Sequence, residues 1–145
     1  MAISSKLDKE GFKVYCILGD GEIEEGQIWE AAMTASHYKL DNLCVIVDNN
    51  NLQIDGTIEN VMSPYPIDKK FEAFGFNVLK VDGHNIEELI SAFKLAKQSK
   101  GKPTAIIANT IKGKGVSFME DEAKWHGKAP SDEEYKQALQ ELQML

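Results

Sequence analysis

The sequence predicts an α/β fold, a parallel sheet with helices on both faces, and three observations predict it. Apolar runs alternate with helix-patterned segments along the whole chain, the order that builds parallel sheets covered by helices. The runs Val14–Leu18, Leu43–Val47, Phe76–Val81 and Thr104–Ala108 are nearly continuous, as strands buried on both faces are. Gly19-Asp20-Gly21 follows the first run and Asn49-Asn50 follows the second. Ligands of open parallel sheets bind at the carboxyl ends of strands.

Each element has its own local signal. Ile3 and Leu7 lie one helical turn apart ahead of Gly11, which reads as the last turns of a helix closed by glycine. Residues 13–18 read as a buried strand. Residues 24–39 read as a helix, with Ile28, Ala31, Ala32, Ala35 and Tyr38 on one side. The second strand spans 43–48. Residues 51–66 are expected as loop, with Asp55-Gly56 as a turn and Pro64 and Pro66 as breakers. A short helix over 68–74 ends at Gly75, and the third strand covers 76–81. Asn85 caps the next helix, with Glu88 at the capping-box position. Gly101-Lys102-Pro103 turns into the fourth strand, 104–108. Residues 112–130 are glycine-rich and irregular, and Lys112 and Lys114 read there as solvated loop residues, with a phosphate contact as the alternative. Ser131 and Glu134 form a second capping box, opening a final helix to about residue 142.

Composition narrows the class. A chain of 145 residues is the size of one domain, so 1–145 is read as a single unit. No apolar stretch approaches the ~20 residues that span a bilayer, and the start lacks a signal-peptide core. A cytoplasmic protein without membrane contact is expected. Cys16 and Cys44 fall inside predicted strands and are expected as buried free thiols. A net charge of −7 argues against nucleic acid as a partner. All 16 basic residues are lysine. Arginine is the preferred bidentate phosphate clamp, so a clamp on a phosphorylated substrate is expected on another chain.

The chemistry concentrates at the first two strand tips. Adjacent strands lie about 4.8 Å apart, so an Asp20 oxygen and the Asn50 amide oxygen could share one cation. Glycines around Asp20 let backbone approach a phosphate, and the following helix start offers free N–H groups. Asp20, Asn50, the Leu52 carbonyl, two phosphate oxygens and a water would complete the octahedral shell of Mg²⁺. Each piece alone also reads as turn chemistry. Their spacing, 27 residues between Gly21 and Asn49, is more specific than either part.

Gly19-Asp20-Gly21 followed by Asn49-Asn50 resembles the thiamine diphosphate fingerprint. Within that superfamily the chain resembles transketolase, specifically the N-terminal half-subunit of split transketolases. The resemblance rests also on Glu25-Gly26-Gln27-Ile28-Trp29-Glu30-Ala31, Ile54-Asp55-Gly56, Val81-Asp82-Gly83-His84, Lys112-Gly113-Lys114-Gly115 and Trp125-His126-Gly127-Lys128-Ala129-Pro130. It covers nearly the whole chain.

The resemblance implies thiamine diphosphate with Mg²⁺ or Ca²⁺ as cofactors. Asp20, Asn50 and the Leu52 carbonyl would hold the metal, and Gly19, Gly21 and His126 would meet the diphosphate. Ile54 and Ile111 would pack on the thiazolium end. His126, Glu25 and Glu30 would be the catalytic residues, the two glutamates linking active sites across a dimer. Taken by themselves, Glu25 and Glu30 share no helical face and read as solvated. The implied reaction moves a two-carbon ketol unit between sugar phosphates, as in the pentose phosphate pathway. A C-terminal transketolase subunit carrying the pyrimidine-binding domain would be the partner, in a homo- or hetero-oligomer. The segment that precedes Gly19 in the family is expected to be lacking, and with it histidines that hold the sugar. The glutamate that activates thiamine belongs to the partner domain, so the isolated chain is expected to be inactive.

Two readings of other classes stay open. One is a structural or interaction module that keeps the fold without catalysis, with apolar sheet surface exposed. The other is a Mg²⁺-dependent phosphohydrolase using Asp20, against which stands the lack of the usual second carboxylate beside the first, since the position after Gly21 leads straight into a helix.

Overall fold

A computed structural model describes residues 1–143. The elements run α1 (Ala2–Leu7), β1 (Val14–Gly19), a 3-10 turn (Glu22–Glu24), α2 (Gly26–His37) and β2 (Leu43–Asn49). They continue with β3 (Leu52–Gln53), β4 (Gly56–Thr57), α3 (Ile58–Val61), α4 (Ile67–Ala73), β5 (Asn77–Asp82) and α5 (Ile86–Gln98). The last are β6 (Thr104–Asn109), a 3-10 turn (Ala123–His126) and α6 (Asp132–Gln143). No helix among the described residues is long and apolar enough to cross a membrane.

Four strands form one parallel sheet in the order β1-β2-β6-β5. The expected α/β fold with helices on both faces is therefore observed. One face carries Leu18, Val45, Val47, Ala105 and Ile107 against Ala32, Ala35, Ile67 and Phe71 of α2 and α4. Trp29 fills that layer, with ring centroids 5.2 Å from both Phe71 and Phe74. The opposite face sets Cys44, Ile106, Ala108 and Val81 against Ala92 and Ala96 of α5. Small residues at the helix contacts bring the helices close to the sheet, and burial of the large ones supplies the driving force.

The capping signals act as expected. The Asn85 side chain accepts from the Glu87 and Glu88 amides. Ser131 and Glu134 exchange both bonds of their box, at 2.8 and 3.2 Å. Elsewhere the structure departs from expectation. The single helix over 24–39 is a 3-10 turn followed by α2, and Ala31 and Tyr38 stay outside its buried stripe. The expected loop 51–66 contains the small hairpin β3–β4 and the one-turn α3; two-residue strands carry no periodicity to read.

β1 is the larger correction. It lies at the sheet's outer edge, and Tyr15, Cys16 and Ile17 are exposed, Ile17 at 73%. Cys16 is thus an exposed thiol, whereas Cys44 is buried, its pKa pushed up to about 11 by desolvation. An apolar strand reads as central whatever its neighbours, because sequence records side chains and not sheet position.

Candidate cofactor site

The tips of β1 and β2 are held in register, with Gly19 paired to Asp48 and the Asp20 amide donating to the Asp48 carbonyl at 3.2 Å. The chain then turns sharply at Gly21, because Ile23 must enter the core, where it is fully buried. A Cβ on Gly21 would lie 2.9 Å from Gln53 Cγ, so a larger residue there would have to displace the Gln53 side chain of β3.

Asp20 is 1% exposed and both of its oxygens are engaged. Oδ1 accepts the Gly21 amide at 2.9 Å and Oδ2 the Asn51 amide at 2.6 Å. The second bond comes from Asn51, which itself adopts a left-handed conformation with φ of +63°. Tyr65 braces the same loop by donating to Asn49 Oδ1 at 2.9 Å and to Asn51 Oδ1. Asn50 Oδ1 in turn accepts the Leu52 amide at 3.1 Å. Each of these oxygens keeps a lone pair free.

Burial raises the Asp20 pKa most, backbone hydrogen bonds from Asn51 and Gly21 oppose it, and the charge of Asp48 raises it further; the net shift is upward. A bound cation would offset that desolvation, and free lone pairs at the mouth of a cleft suit the carboxylate to ligate one. Among the described residues no group of three or more His, Cys, Asp or Glu could hold a metal. An ion here would need neutral oxygens and ligand oxygens, and Asn50, the Leu52 carbonyl and a diphosphate supply that chemistry.

A cleft of about 490 Å³ opens over these atoms, lined by Gly19, Asp20, Gly21, Glu22, Asp48, Asn50, Leu52, Gln53, Ile54, Lys112 and His126. Most of the residues expected from sequence therefore converge. Ile111 does not line it; it lines two adjoining clefts instead. Glu25 and Glu30 are exposed around the start of α2 and do not line it either.

Four residues of the cleft lie outside the site expected from sequence, Glu22, Asp48, Gln53 and Lys112. Lys112, for which the sequence leaves a solvated loop and a phosphate contact both open, supplies its single lysine. Beside Asp20 the cleft is lined by two further carboxylates, Glu22 just after Gly21 and Asp48 from β2, so the expected lack of a second carboxylate does not hold. The β1–β2 register is the signal that finds Asp48. Thr110 Oγ1 donates to Asp48.

The far wall is built differently. His126 sits on the exposed 3-10 turn, which is fastened by Trp125 Nε1 donating to the Phe118 carbonyl at 2.9 Å. Phe118 and Lys128 pack on the Trp125 ring at 5.4 and 4.3 Å.

A family model described as "Transketolase, thiamine diphosphate binding domain" matches residues 4–144. The chain is 46% identical over 142 residues to one subunit of the apulose-4-phosphate transketolase of Phocaeicola vulgatus, covering 98% of this chain and 50% of that protein. It is 44% identical over 143 residues to the 6-deoxy-6-sulfo-D-fructose transketolase subunit SqwG of a Clostridium species, covering 99% and 52%. Among solved structures, Campylobacter jejuni transketolase superposes with a TM-score of 0.89 at 36% identity, over 96% of this chain and 23% of that one. The chain thus spans about half the length of the two curated relatives. With the two strand tips, their polar loop and a matching model over nearly all of its length, the chain belongs to the transketolase thiamine diphosphate-binding domain family.

Proposed function

We propose that the cleft over Asp20 binds the diphosphate of thiamine diphosphate through a divalent cation, Mg²⁺ or Ca²⁺. The observation that carries this reading is the convergence of Asp20, Gly21, Asn50, Leu52, Ile54, Lys112 and His126 on one cleft. Asp20, Asn50 and the Leu52 carbonyl hold the ion. The Gly21 turn admits the phosphate closely, and His126 with Lys112 offers positive charge or N–H donors from the far wall. Ile54, exposed beside the cleft, and Ile111 present apolar surface to the thiazolium end. When bound, thiamine diphosphate supplies carbanion chemistry at carbon; the residues here place it and neutralise its diphosphate.

The function follows as the cofactor-binding part of a transketolase that moves a two-carbon ketol unit between sugar phosphates. Relatives named as single subunits of transketolases support an enzyme of more than one chain type, in which a pyrimidine-binding partner completes the site. Glu25 and Glu30, exposed at the start of α2, are then the residues that reach the partner. Calorimetric titration with thiamine diphosphate tests the site: saturable binding that requires Mg²⁺ and is reversed by EDTA is expected. Absence of binding would remove the reading. Ketol transfer is expected only after mixing with a complementary pyrimidine-binding chain, and turnover by this chain alone would refute the partner requirement.

The exposed apolar strand β1 favours a second reading, an interaction module that keeps the fold without catalysis. A stable oligomer that takes up no thiamine diphosphate is its signature.

A further inference from the structure

His84 lies outside the cleft just described, yet it is joined to that cleft's wall. It sits in the turn Asp82-Gly83-His84-Asn85 after β5, and its Nε2 accepts the Ile111 amide at 2.7 Å. That bond falls where the chain leaves β6. The same turn docks on β6 at a second point, Gly83 N–H to the Asn109 carbonyl at 2.7 Å. The approach is so close that a Cβ on Gly83 would lie 2.4 Å from Thr110 Cγ2 and 3.0 Å from the Asn109 carbonyl oxygen. The turn itself is pinned, since the His84 amide donates to Asp82 Oδ1 at 2.8 Å and the Asp82 amide to Glu88 Oε2 at 2.8 Å. His84 is therefore a fixed acceptor rather than a free surface imidazole.

What it fixes is the exit of β6. Thr110 donates its amide to the Asn49 carbonyl at 3.2 Å and its hydroxyl to Asp48. Next come Ile111 and Lys112, and Lys112 lines both the Asp20 cleft and the neighbouring cleft that His84 lines. Lys112, with Asp48 and Asn50, is shared between the two clefts. The bond at Ile111 is the one that reaches this segment from the β5 turn; its other main-chain bonds lie further on, from the Lys114 amide to the Ile111 carbonyl at 3.3 Å and from the Asp121 amide to the Lys112 carbonyl at 3.1 Å.

We propose that His84 is a positioning residue for the cofactor site: as a neutral imidazole protonated on Nδ1, it holds the Ile111 amide and so aims Ile111 and Lys112. The proposal rests on the reading that the Asp20 cleft binds Mg²⁺–thiamine diphosphate. An imidazole nitrogen that accepts a bond carries no proton, so the tautomer follows from the geometry. A hydrogen bond to an exposed side chain is worth about 0.5–1.5 kcal/mol, or roughly threefold to tenfold in an equilibrium constant.

Three measurements on the full chain test it. Nitrogen-15 NMR of the His84 ring is expected to show the Nδ1-protonated tautomer in the unsubstituted protein; the Nε2-protonated form would overturn the proposal without any variant. Amide exchange at Ile111 is expected to be slow, to accelerate in His84→Ala and to slow again in His84→Gln, which restores an acceptor oxygen. Equal exchange in all three would also overturn it. In titrations with Mg²⁺ and thiamine diphosphate, His84→Ala is expected to bind roughly threefold to tenfold more weakly, with a fall of about a few degrees at most in melting temperature, and His84→Gln is expected to recover most of the loss. Unchanged affinity in His84→Ala would overturn the positioning role and leave only a clamp. If the unsubstituted chain fails to bind the cofactor, the cleft reading and the positioning role fall together, while the tautomer and exchange data judge the clamp separately.

Discussion

The two walls of the cleft are built on different principles. The Asp20 wall stands on the core: Ile23 is fully buried beneath it, both carboxylate oxygens are held by backbone amides, and Tyr65 braces the loop from outside. The His126 wall stands on an exposed 3-10 turn with no buried residue, pinned by one indole bond and aromatic stacking. The difference teaches where geometry is set in advance and where it can adjust. A cation tolerates little error in its ligands, which under the proposed reading suits oxygens on rigid strand tips. A diphosphate partner such as histidine can close from a loop.

Substitutions that act on one wall alone separate the two. The largest effect is expected beneath the rigid wall. Ile23→Ala should cost about 2–5 kcal/mol in denaturant unfolding, the range for large-to-small changes in a packed core. Trp125→Ala, under the exposed wall, should cost less than that; equal losses would erase the contrast.

Asp20→Ala comes next. Removing a direct ligand should weaken Mg²⁺-dependent cofactor binding by about 100-fold or more, the upper end of what even an outer-shell change costs. Calorimetry reads it, and retained binding would mean that the ion sits elsewhere. His126→Ala should weaken binding by roughly tenfold, as expected for one bond to a charged group, with little change in melting temperature.

The smallest effect is a pH dependence confined to the rigid wall. Asp20 has its pKa raised above the ordinary 3.8. Protonation therefore favours the ligand-free fold; that contribution is full below the ordinary value and is lost as pH rises through the raised one. Cation binding runs the other way, because it needs the carboxylate. Affinity for Mg²⁺–thiamine diphosphate should fall as pH drops through the raised value, while the ligand-free chain gains stability. A titration series against pH checks both signs, and a parallel fall in both would contradict them.

Legibility from sequence follows the same division. Asp20, Gly21 and Asn50 are readable because each follows an apolar run, and strand tips of a parallel sheet share one edge. The Leu52 carbonyl follows from its spacing after Asn50, and Ile54 from the resemblance of Ile54-Asp55-Gly56. For Lys112 the sequence leaves a solvated loop and a phosphate contact both open: it lies in a glycine-rich stretch with no periodicity, and its place in the cleft depends on how β6 exits beside β5. Asp48 escapes notice because it closes an apolar strand, and only its pairing with Gly19 brings it beside Asp20. The expectation for Cys16 fails for the corresponding reason, since edge and centre strands carry the same residues.

By itself, the sequence determined the order of the four sheet strands and the larger helices along the chain, the parallel sheet, the caps at Asn85 and Ser131 and the strand tips that line the cleft. These are local matters of periodicity, propensity and turn chemistry, encoded within a few residues of where they act. Tertiary structure alone decided that β1 lies at the edge, that Asn51 turns its amide onto Asp20, and that His84 meets Ile111 across 27 residues. Such contacts depend on strand order and register, which arise when distant segments pack and which no short window of residues records.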